Sequence, residues 1–242
     1  MRYSVEKVYE NVEISKGVYK LSVKGKFDVK PGQFYLLRAW DREPLLSRPI
    51  SVNQADDEKI TFVYQIVGKG TEILKNLKEN DEIKLTGPLG NGFPVEGEKG
   101  RVAIVAGGIG TAPMLQLVKE LKDCEIDFYC GFRDEVYLLD EIKPYVKNIY
   151  VATESGKVGS KGYVTDMFNP IGYDRVFCCG PEIMMEKVVK ACNSSEVPIW
   201  ASMEKHMACG VGACLVCTCK TKGGNKRSCK DGPVFSGKDL EF

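Results

Sequence analysis

The feature that most constrains this 242-residue chain is a set of four cysteines near its end. They are Cys209, Cys214, Cys217 and Cys229, and their spacing is C-x4-C-x2-C-x11-C. This is the plant-type spacing of thiolate ligands around a [2Fe–2S] cluster. Gly210 and Gly212 suit a loop that wraps closely around a cluster, because glycine adopts left-handed backbone angles at little steric cost. The four cysteines are therefore the predicted metal ligands.

Two alternatives at this cysteine run stay open. Structural zinc uses the same thiolates, although usually as two C-x2-C pairs, whereas the run here has one such pair with a single cysteine on each side. Cys219 could replace Cys217 as the third ligand. We prefer Cys217 because it completes the C-x4-C-x2-C run, and we expect Cys219 to be a packed thiol. A Rieske cluster is excluded, since it needs two histidines and His206 is the only one.

Cysteine usage and charge restrict where such a chain works. The chain has ten cysteines, but residues 1–7 form an alternating charged pattern rather than an apolar signal peptide. No window is long and apolar enough to span a bilayer. We therefore expect a reducing, cytoplasmic location, where disulfides are rare. The formal net charge is +1 with both signs mixed throughout, so neither nucleic-acid nor membrane-surface binding is indicated.

The first hundred residues are typical of a small antiparallel barrel. Apolar and polar residues alternate over residues 19–24 and 60–65, and a short apolar run at 34–37 follows Pro31-Gly32. Turn residues recur between these runs, and a helical period is convincing only near residues 71–77. Many short strands separated by such turns predict a closed antiparallel β-barrel over residues 1–96.

Three stretches of the predicted barrel suggest ligand binding. Arg48, in the stretch 47–51, could give a pyrophosphate two parallel hydrogen bonds. Gly68 and Gly70 precede Thr71, a plausible N-cap of a helix whose first N–H groups could bind a phosphate. Residues 87–93 are expected to form a loop that closes the barrel. Each stretch can also be interpreted without a ligand, as a solvated arginine or a plain turn. Whether they indicate ligand binding therefore depends on the next hundred residues.

From about residue 97 the pattern is typical of a parallel sheet. A continuous apolar run at 102–105 leads into the glycine-rich stretch 107–111, and apolar residues from Met114 onward recur at helical spacing. A strand, a glycine-rich turn and a helix form the arrangement that holds a pyrophosphate on backbone N–H groups. Pro113 stands where the usual fingerprint has its third glycine.

Further strands are predicted at 126–130, 149–152 and 175–179, with helices between them, as in a doubly wound parallel sheet. Ligands of such sheets bind outside the carboxyl ends of the strands. The stretches 107–111, 131–134 and 179–181 all lie at such ends, so one dinucleotide could touch all three. Asp134 could read a ribose hydroxyl and Arg133 could equally accept a 2′-phosphate, so these two residues leave NAD and NADP open.

The order of these parts resembles the ferredoxin-reductase superfamily over residues 1 to about 198. With the C-terminal motifs Cys209-Gly-Val-Gly-Ala-Cys214-Leu-Val-Cys217 and Cys229-Lys-Asp-Gly-Pro-Val-Phe, the whole chain resembles the electron-transfer subunits of class 1B dihydroorotate dehydrogenases. The resemblance implies a multidomain β plus α/β fold. An FAD-binding β-barrel would span residues 1–96, a doubly wound NAD-binding domain 97–198, and a small [2Fe–2S] domain 199–242.

The resemblance also implies which residues hold each cofactor. FAD would be bound by Arg48, Pro49, Ile50, Ser51, Val63, Tyr64, Gln65, Gly70 and Thr71. NAD(H) would be bound by Gly107, Gly108, Gly110, Thr111, Cys179, Gly180 and Pro181, with the nicotinamide near Cys179. The superfamily often has an aromatic residue where Ile50 stands, and this chain departs from the pattern there. No catalytic acid or base is expected, because hydride and electron transfer by bound cofactors need none.

The implied activity is that of an oxidoreductase in pyrimidine biosynthesis. Electrons from NADH would pass through FAD and the [2Fe–2S] cluster to the FMN of a partner dihydroorotate dehydrogenase catalytic subunit, commonly in a heterotetramer. A related alternative is the small subunit of an NADH-dependent ferredoxin:NADP oxidoreductase or of a sulfide dehydrogenase. A zinc-binding, non-enzymatic module is the alternative of another class.

Overall fold

The structure is a computed structural model that describes residues 1–242. Its first half is a closed barrel of six antiparallel strands in the order β1-β2-β5-β4-β3-β6. The strands are β1 (Arg2–Ser15), β2 (Val18–Lys24), β3 (Phe34–Arg38), β4 (Arg48–Ala55), β5 (Lys59–Gln65) and β6 (Glu82–Leu89), and helix α1 (Lys69–Lys75) follows β5. Alternate side chains, among them Leu21, Val52, Phe62 and Ile83, fill the barrel interior. The predicted antiparallel barrel is confirmed.

The second half contains a parallel sheet with helices on both faces. Its strands are β7 (Gly100–Gly107), β8 (Cys124–Phe132), β9 (Asn148–Thr153), β10 (Ser160–Lys161), β11 (Arg175–Cys179) and β12 (Ile199–Ser202), in the order β10-β9-β8-β7-β11-β12. The helices are α2 (Met114–Glu120), α3 (Leu139–Ile142), α4 (Val164–Met167) and α5 (Glu182–Ser194), with 3-10 turns at Gly108–Thr111 and Lys143–Tyr145. Helices α2 and α3 pack into one core, and α4 and α5 into the other. The predicted doubly wound sheet is confirmed.

The C-terminal segment is attached to both of the other units. It contains a short hairpin of β13 (Thr218–Cys219) and β14 (Lys226–Arg227), and β15 (Val234–Ser236), which pairs antiparallel with β12 at the edge of the parallel sheet. Strand β12 lies inside the segment 199–242, so part of the predicted third domain belongs to the sheet of the second. No helix of the structure has both the length and the apolar character needed to cross a membrane.

Two local predictions were wrong. Thr71 is not the N-cap of α1, because the helix begins two residues earlier and Gly68 is its N-cap. The Thr71 hydroxyl instead reaches back, where it accepts the N–H groups of Val67 and Gly68 at 3.0 and 3.2 Å. The stretch 87–93 is not all loop, because β6 runs through Leu89. The strand continues because Gly87 lacks a side chain: an added Cβ would lie 2.3 Å from the Tyr35 ring.

A buried carboxylate stabilises the parallel sheet. Asp127 on β8 is fully buried and accepts hydrogen bonds from Tyr173 (2.7 Å), Asn148 (2.7 Å) and the Arg101 guanidinium (2.8 Å). Burial alone would raise the pKa of Asp127, but these three donors hold it below its ordinary value. Its contribution to stability is therefore present at neutral pH and is lost as the pH falls below about 3.9, the ordinary carboxyl pKa.

We expect Asp127→Ala to lower the free energy of unfolding by about 1.5–3 kcal/mol, because it removes hydrogen bonds to a buried charged group. Arg101 is half exposed and keeps Glu125 at 3.9 Å, and Tyr173 keeps the Tyr129 hydroxyl. Asp57→Ala is the matched control. Asp57 pairs with Lys26 at the surface, where both side chains are largely exposed, so this change should cost no more than about 0.5 kcal/mol. Urea titration of both variants at pH 7 measures the difference, and equal midpoints would contradict it.

Candidate functional site

Arg48 lies where the barrel meets the first turn of α1. An added Cβ at Gly70 would lie 2.4 Å from Arg48 Nε, so the guanidinium packs directly on the helix backbone. Its Cζ lies 5.5 Å from the centroid of the Trp40 ring, and Nη1 donates to the carbonyl of Leu46. Arg48 belongs to none of the ion pairs of the chain. A cation without an acidic partner, beside free helical N–H groups, suits a phosphate.

Five of the other residues predicted to bind FAD fall into two groups. Pro49, Ile50 and Ser51 follow Arg48 along β4, are partly buried, and pair with Leu36, Tyr35 and Phe34 of β3. The side chain of Tyr64 faces the barrel core instead. It is 1% exposed and donates to Asn11 Oδ1 at 3.3 Å. Tyr64 and Thr71, whose hydroxyl is already hydrogen-bonded, are available to a ligand only through their backbones.

The two stretches predicted to bind NAD meet at the carboxyl ends of β7 and β11. An added Cβ at Gly110 would lie 2.5 Å from the carbonyl oxygen of Cys179, and one at Gly180 would lie 2.8 Å from the Gly107 nitrogen. Strands β7 and β11 are neighbours, and the chain leaves β7 in the opposite direction, toward β8. This is the switch point where open α/β sheets bind their ligands. The structure thus brings together two stretches that are about 70 residues apart in sequence.

Two groups at this switch point bear on its chemistry. The hydroxyl of Thr111 is buried and has no hydrogen-bond partner, although buried polar groups are nearly always paired. The thiol of Cys179 is 1% exposed, and burial raises its pKa well above the ordinary range. Cys179 is therefore a neutral thiol, which excludes a role as a thiolate nucleophile at neutral pH.

The third stretch at these strand ends begins beside the first, since Gly131 pairs with Gly107 across β7 and β8. Strand β8 ends at Phe132, and Arg133 and Asp134 follow it. Neither of their side chains has a hydrogen-bond or ion-pair partner in the chain. The next residue, Glu135, accepts a hydrogen bond from Ser15 at 2.7 Å and so connects the sheet to the barrel. Binding of a ribose hydroxyl by Asp134, or of a 2′-phosphate by Arg133, stays a prediction.

The cysteine loop packs directly on the barrel. Gly210 and Gly212 have φ of +70° and +82°, the left-handed angles expected of a tightly wrapped loop. An added Cβ at Gly210 would lie 2.8 Å from Leu36 and 3.1 Å from Leu89. Cys217 and Cys229 pack against the same two leucines, so half of the predicted ligand set faces the barrel strand that pairs with β4.

Backbone N–H groups point at the sulfurs of this loop. Val211 donates to Cys209 Sγ at 3.4 Å, Gly212 to Cys229 Sγ at 3.1 Å, and Cys229 to Cys217 Sγ at 3.4 Å. The N–H of Val211 is the largest cause that lowers the pKa of Cys209 to about 6, whereas burial raises that of Cys229 to about 12. Such donors stabilise thiolates and tune the potential of an iron–sulfur cluster.

The four cysteines fit an iron–sulfur cluster in donor chemistry, loop conformation and N–H donors. No three Cys, His, Asp or Glu side chains are grouped as they would be around a metal ion. The assignment of the four as ligands therefore stays a prediction. Cys219 differs from them. It is 1% exposed, its Sγ lies 3.5 Å from the buried Ser228 hydroxyl, and it packs in the core beside the parallel sheet rather than against the barrel.

Sequence reasoning missed two kinds of residue at this site. Leu36 and Leu89, which separate the cysteine loop from the barrel interior, look like ordinary strand residues. Asn53 carried a weaker signal, as one of two adjacent amides, with Gln54, that follow the apolar Val52 in a barrel strand. The structure buries it completely against the turn 108–111. His206 is exposed.

Comparison with known protein families agrees with this architecture. The model of the iron–sulfur cluster binding domain of dihydroorotate dehydrogenase B matches residues 204–241. A solved structure of an NADH-dependent reduced ferredoxin–NADP oxidoreductase superposes with a TM-score of 0.88 at 30% identity, covering 98% of this chain and 90% of that one. The FAD- and haem-bound flavohemoglobin of Malassezia yamatoensis (TM-score 0.70, 19% identity, 81% of this chain and 58% of that one) shares the fold.

Curated relatives cover the whole chain. The dihydroorotate dehydrogenase B (NAD(+)) electron transfer subunit of Clostridium acetobutylicum is 64% identical over 239 residues, which are 99% of this chain and 97% of the relative. The subunit of the same name from Clostridium perfringens is 53% identical over 246 residues, which are 100% and 99% of the two chains. This chain therefore belongs to the family of dihydroorotate dehydrogenase B (NAD(+)) electron transfer subunits.

Proposed function

We propose that this chain carries electrons from NADH, through FAD and a [2Fe–2S] cluster, to the FMN of a dihydroorotate dehydrogenase catalytic subunit in the cytoplasm. The FAD domain is assigned to residues 1–96, the NAD domain to 97–198 and the cluster domain to 199–242, with β12 and β15 of this last segment extending the sheet of the NAD domain. When bound, FAD accepts a hydride and releases electrons singly, and the cluster carries one electron at a time. All ten cysteines are free thiols, in keeping with a reducing compartment.

The observation that carries this proposal is the packing of the cysteine loop on β3. Gly210 contacts Leu36, and Leu36 pairs across the sheet with Pro49 in the stretch assigned to FAD. The turn that follows Gly107 reaches β4, since Asn53 donates to the carbonyl of Ala112. These contacts support a path from the NADH site through β4 and β3 to the cysteine loop.

The residues of the chain bind and orient in this scheme, and none transfers a proton. Arg48 would hold the FAD phosphates beside the N-terminus of α1, with Ser51 near the flavin ring. The N–H groups of the turn 108–111 would hold the NADH pyrophosphate, and the absent side chain at Gly110 lets that turn touch Cys179. The neutral, buried thiol of Cys179 would present an apolar surface to the nicotinamide and exclude water.

The exposed face of the cysteine loop suits a protein partner. Val211, Leu215 and Val216 are 40%, 62% and 54% exposed around the exposed Cys214. Lys230 packs beside Gly212 at the edge of this apolar patch. An apolar centre with a charged rim is typical of a protein–protein interface. We assign it to the FMN-containing catalytic subunit, in a heterotetramer.

Replacement of Arg48 tests the FAD assignment. We expect Arg48→Ala to weaken FAD binding by about 10- to 100-fold, because it removes charge-assisted hydrogen bonds to phosphate worth about 1.5–3 kcal/mol. Arg48→Lys should recover part of this loss, since it keeps the charge but not the two-pronged geometry. Arg42→Ala is the control, from an exposed arginine of the same region. Fluorescence titration of the flavin-free protein measures the affinities for FAD. Equal affinities of Arg48→Ala and the wild type would contradict the assignment of Arg48 to the FAD site.

Reconstitution with a partner tests the whole function. The purified chain should reduce dyes with NADH but should not oxidise dihydroorotate by itself. Addition of the FMN-containing catalytic subunit should let NADH reduce orotate to dihydroorotate. The same path run in reverse should couple dihydroorotate oxidation to NAD⁺ reduction. Full dihydroorotate oxidation by the isolated chain would contradict the need for a partner.

The ferredoxin–NADP oxidoreductase similarity supports a second candidate. A chain of that type would pass electrons to ferredoxin or NADP-linked partners rather than to dihydroorotate dehydrogenase. The same reconstitution, with ferredoxin and NADP⁺ in place of dihydroorotate, distinguishes the two functions. We favour the dihydroorotate dehydrogenase partner because the relatives with that name reach 64% identity, whereas the ferredoxin–NADP oxidoreductase structure is 30% identical.

A further inference from the structure

Asn53 joins the strand assigned to FAD to the turn assigned to NADH. It lies on β4, two residues beyond Ser51, and is fully buried. Its Nδ2 donates to the carbonyl of Ala112 at 2.7 Å, and Ala112 directly follows Thr111 in the switch-point turn. A single side chain therefore connects two stretches that must hold FAD and NADH at a fixed separation.

The backbone around Asn53 is shaped to direct this side chain. Val52 pairs with Phe62 and Gln54 with Thr61, so Asn53 is the extra residue of a β-bulge. A bulge re-aims a side chain and is frequent beside active sites. The neighbours of Asn53 also face the sheet, since the Ala55 N–H donates to Gln116 and Gln54 accepts from Lys119. Those contacts reach α2, however, and only Asn53 reaches the turn.

Packing alone does not account for an asparagine here. Its Oδ1 has no hydrogen-bond partner, and neither has the buried hydroxyl of Thr111 next to the residue that Asn53 binds. Unpaired buried polar groups lower stability, and an apolar residue of similar volume would avoid that cost. Polar groups retained at a cost are expected where function requires a particular geometry.

We propose that Asn53 is a positioning residue for hydride transfer, which sets the approach of the NADH turn to the flavin strand. The proposal rests on the FAD and NADH assignments made above. In the step concerned, one hydrogen leaves NADH with two electrons, giving NAD⁺, and oxidised flavin becomes reduced flavin. Asn53 touches neither reactant and acts through Ala112 and the turn 108–111.

Asn53→Leu and the smaller Asn53→Ser test the proposal, with Gln54→Ala as the matched control. Gln54 is the next residue of β4 and contacts α2 but not the turn. We expect Asn53→Leu to slow flavin reduction by NADH about 10- to 100-fold in stopped flow, because reacting atoms displaced by about 1 Å lose that much rate. The KM for NADH and the rate of dye reduction by prereduced flavin should stay within about twofold, since binding and electron release are untouched.

Hydrogen exchange supplies a readout that is independent of activity. In both Asn53 variants, amides of residues 108–116 should exchange faster, while those of the barrel core keep their wild-type rates. A wild-type rate of flavin reduction in Asn53→Leu and Asn53→Ser would overturn the inference, as would an equal slowing in Gln54→Ala. Either result would leave the proposed function intact. Failure of NADH to reduce the flavin of the wild-type chain would overturn the proposed function and the inference with it.

Discussion

Cys217→Ser should abolish the iron–sulfur cluster, whereas Cys219→Ser should leave it in place. Cys217 packs with Cys229 against Leu36 and Leu89, and its sulfur accepts the N–H of Cys229. Cys219 lies in the core on the other side of the hairpin, next to the Ser228 hydroxyl. Loss of a residue that hydrogen-bonds a metal ligand typically lowers metal affinity or activity by about 10- to 100-fold. Loss of the ligand itself should cost more, so electron delivery to a one-electron acceptor should fall by more than about 100-fold.

Visible absorption and iron content of the two variants measure this difference. NADH-dependent flavin reduction serves as the internal control, because it should continue in Cys217→Ser at the wild-type rate. The two cysteines are two residues apart and share the same hairpin, so a general folding defect would affect both variants alike. Loss of iron in Cys219→Ser but not in Cys217→Ser would reverse the ligand assignment.

Gly110→Ala should reduce NADH-dependent flavin reduction by about 100-fold, since the added methyl would displace the nucleotide turn. Its Cβ would lie 2.5 Å from the carbonyl oxygen of Cys179 and 2.7 Å from Gly180 Cα, and both are backbone atoms that cannot move aside cheaply. Gly110 has no left-handed backbone angle, so the effect is steric and not conformational.

Gly223→Ala is the control for Gly110→Ala. Its φ is also not left-handed, and an added Cβ would meet only Thr221 Oγ1, at 3.9 Å. Flavin and iron content should be normal in both variants. Isothermal titration with NAD⁺ should show weakened binding in Gly110→Ala alone. If Gly110→Ala binds NAD⁺ as tightly as Gly223→Ala, the switch point is not where the nucleotide binds.

Much of the fold could be predicted because its strands carry periodic signals. The strand at 175–179 has its predicted limits, and the alternation at 19–24 and 60–65 lies within β2 and β5. Strand β15 could not be predicted, because three residues are too few for a period and its partner β12 is more than 30 residues away. The start of α1 was misplaced because the Thr71 hydroxyl caps the helix from its third position.

The candidate site was predictable as motifs but not as an arrangement. Spacing predicts Cys209, Cys214, Cys217 and Cys229 as a ligand set, and glycines predict the turn 107–111 as a nucleotide site, since both patterns depend on local geometry. The contact of Gly210 with Leu36 and that of Asn53 with Ala112 depend on how separate units pack. No periodicity within one strand encodes such a long-range contact. The sequence likewise does not show which way Tyr64 faces. It was predicted to bind FAD, and its side chain faces the barrel core.

The most direct test of the central claim is an anaerobic NADH titration of the purified chain, with flavin, iron, sulfide and zinc determined on the same sample. We predict about one FAD and about two irons with two sulfides per chain. NADH should bleach both the flavin and the cluster absorption, with about three electrons taken up per chain, two by the flavin and one by the cluster. A colourless chain with one zinc and no flavin, unchanged by NADH, would contradict it.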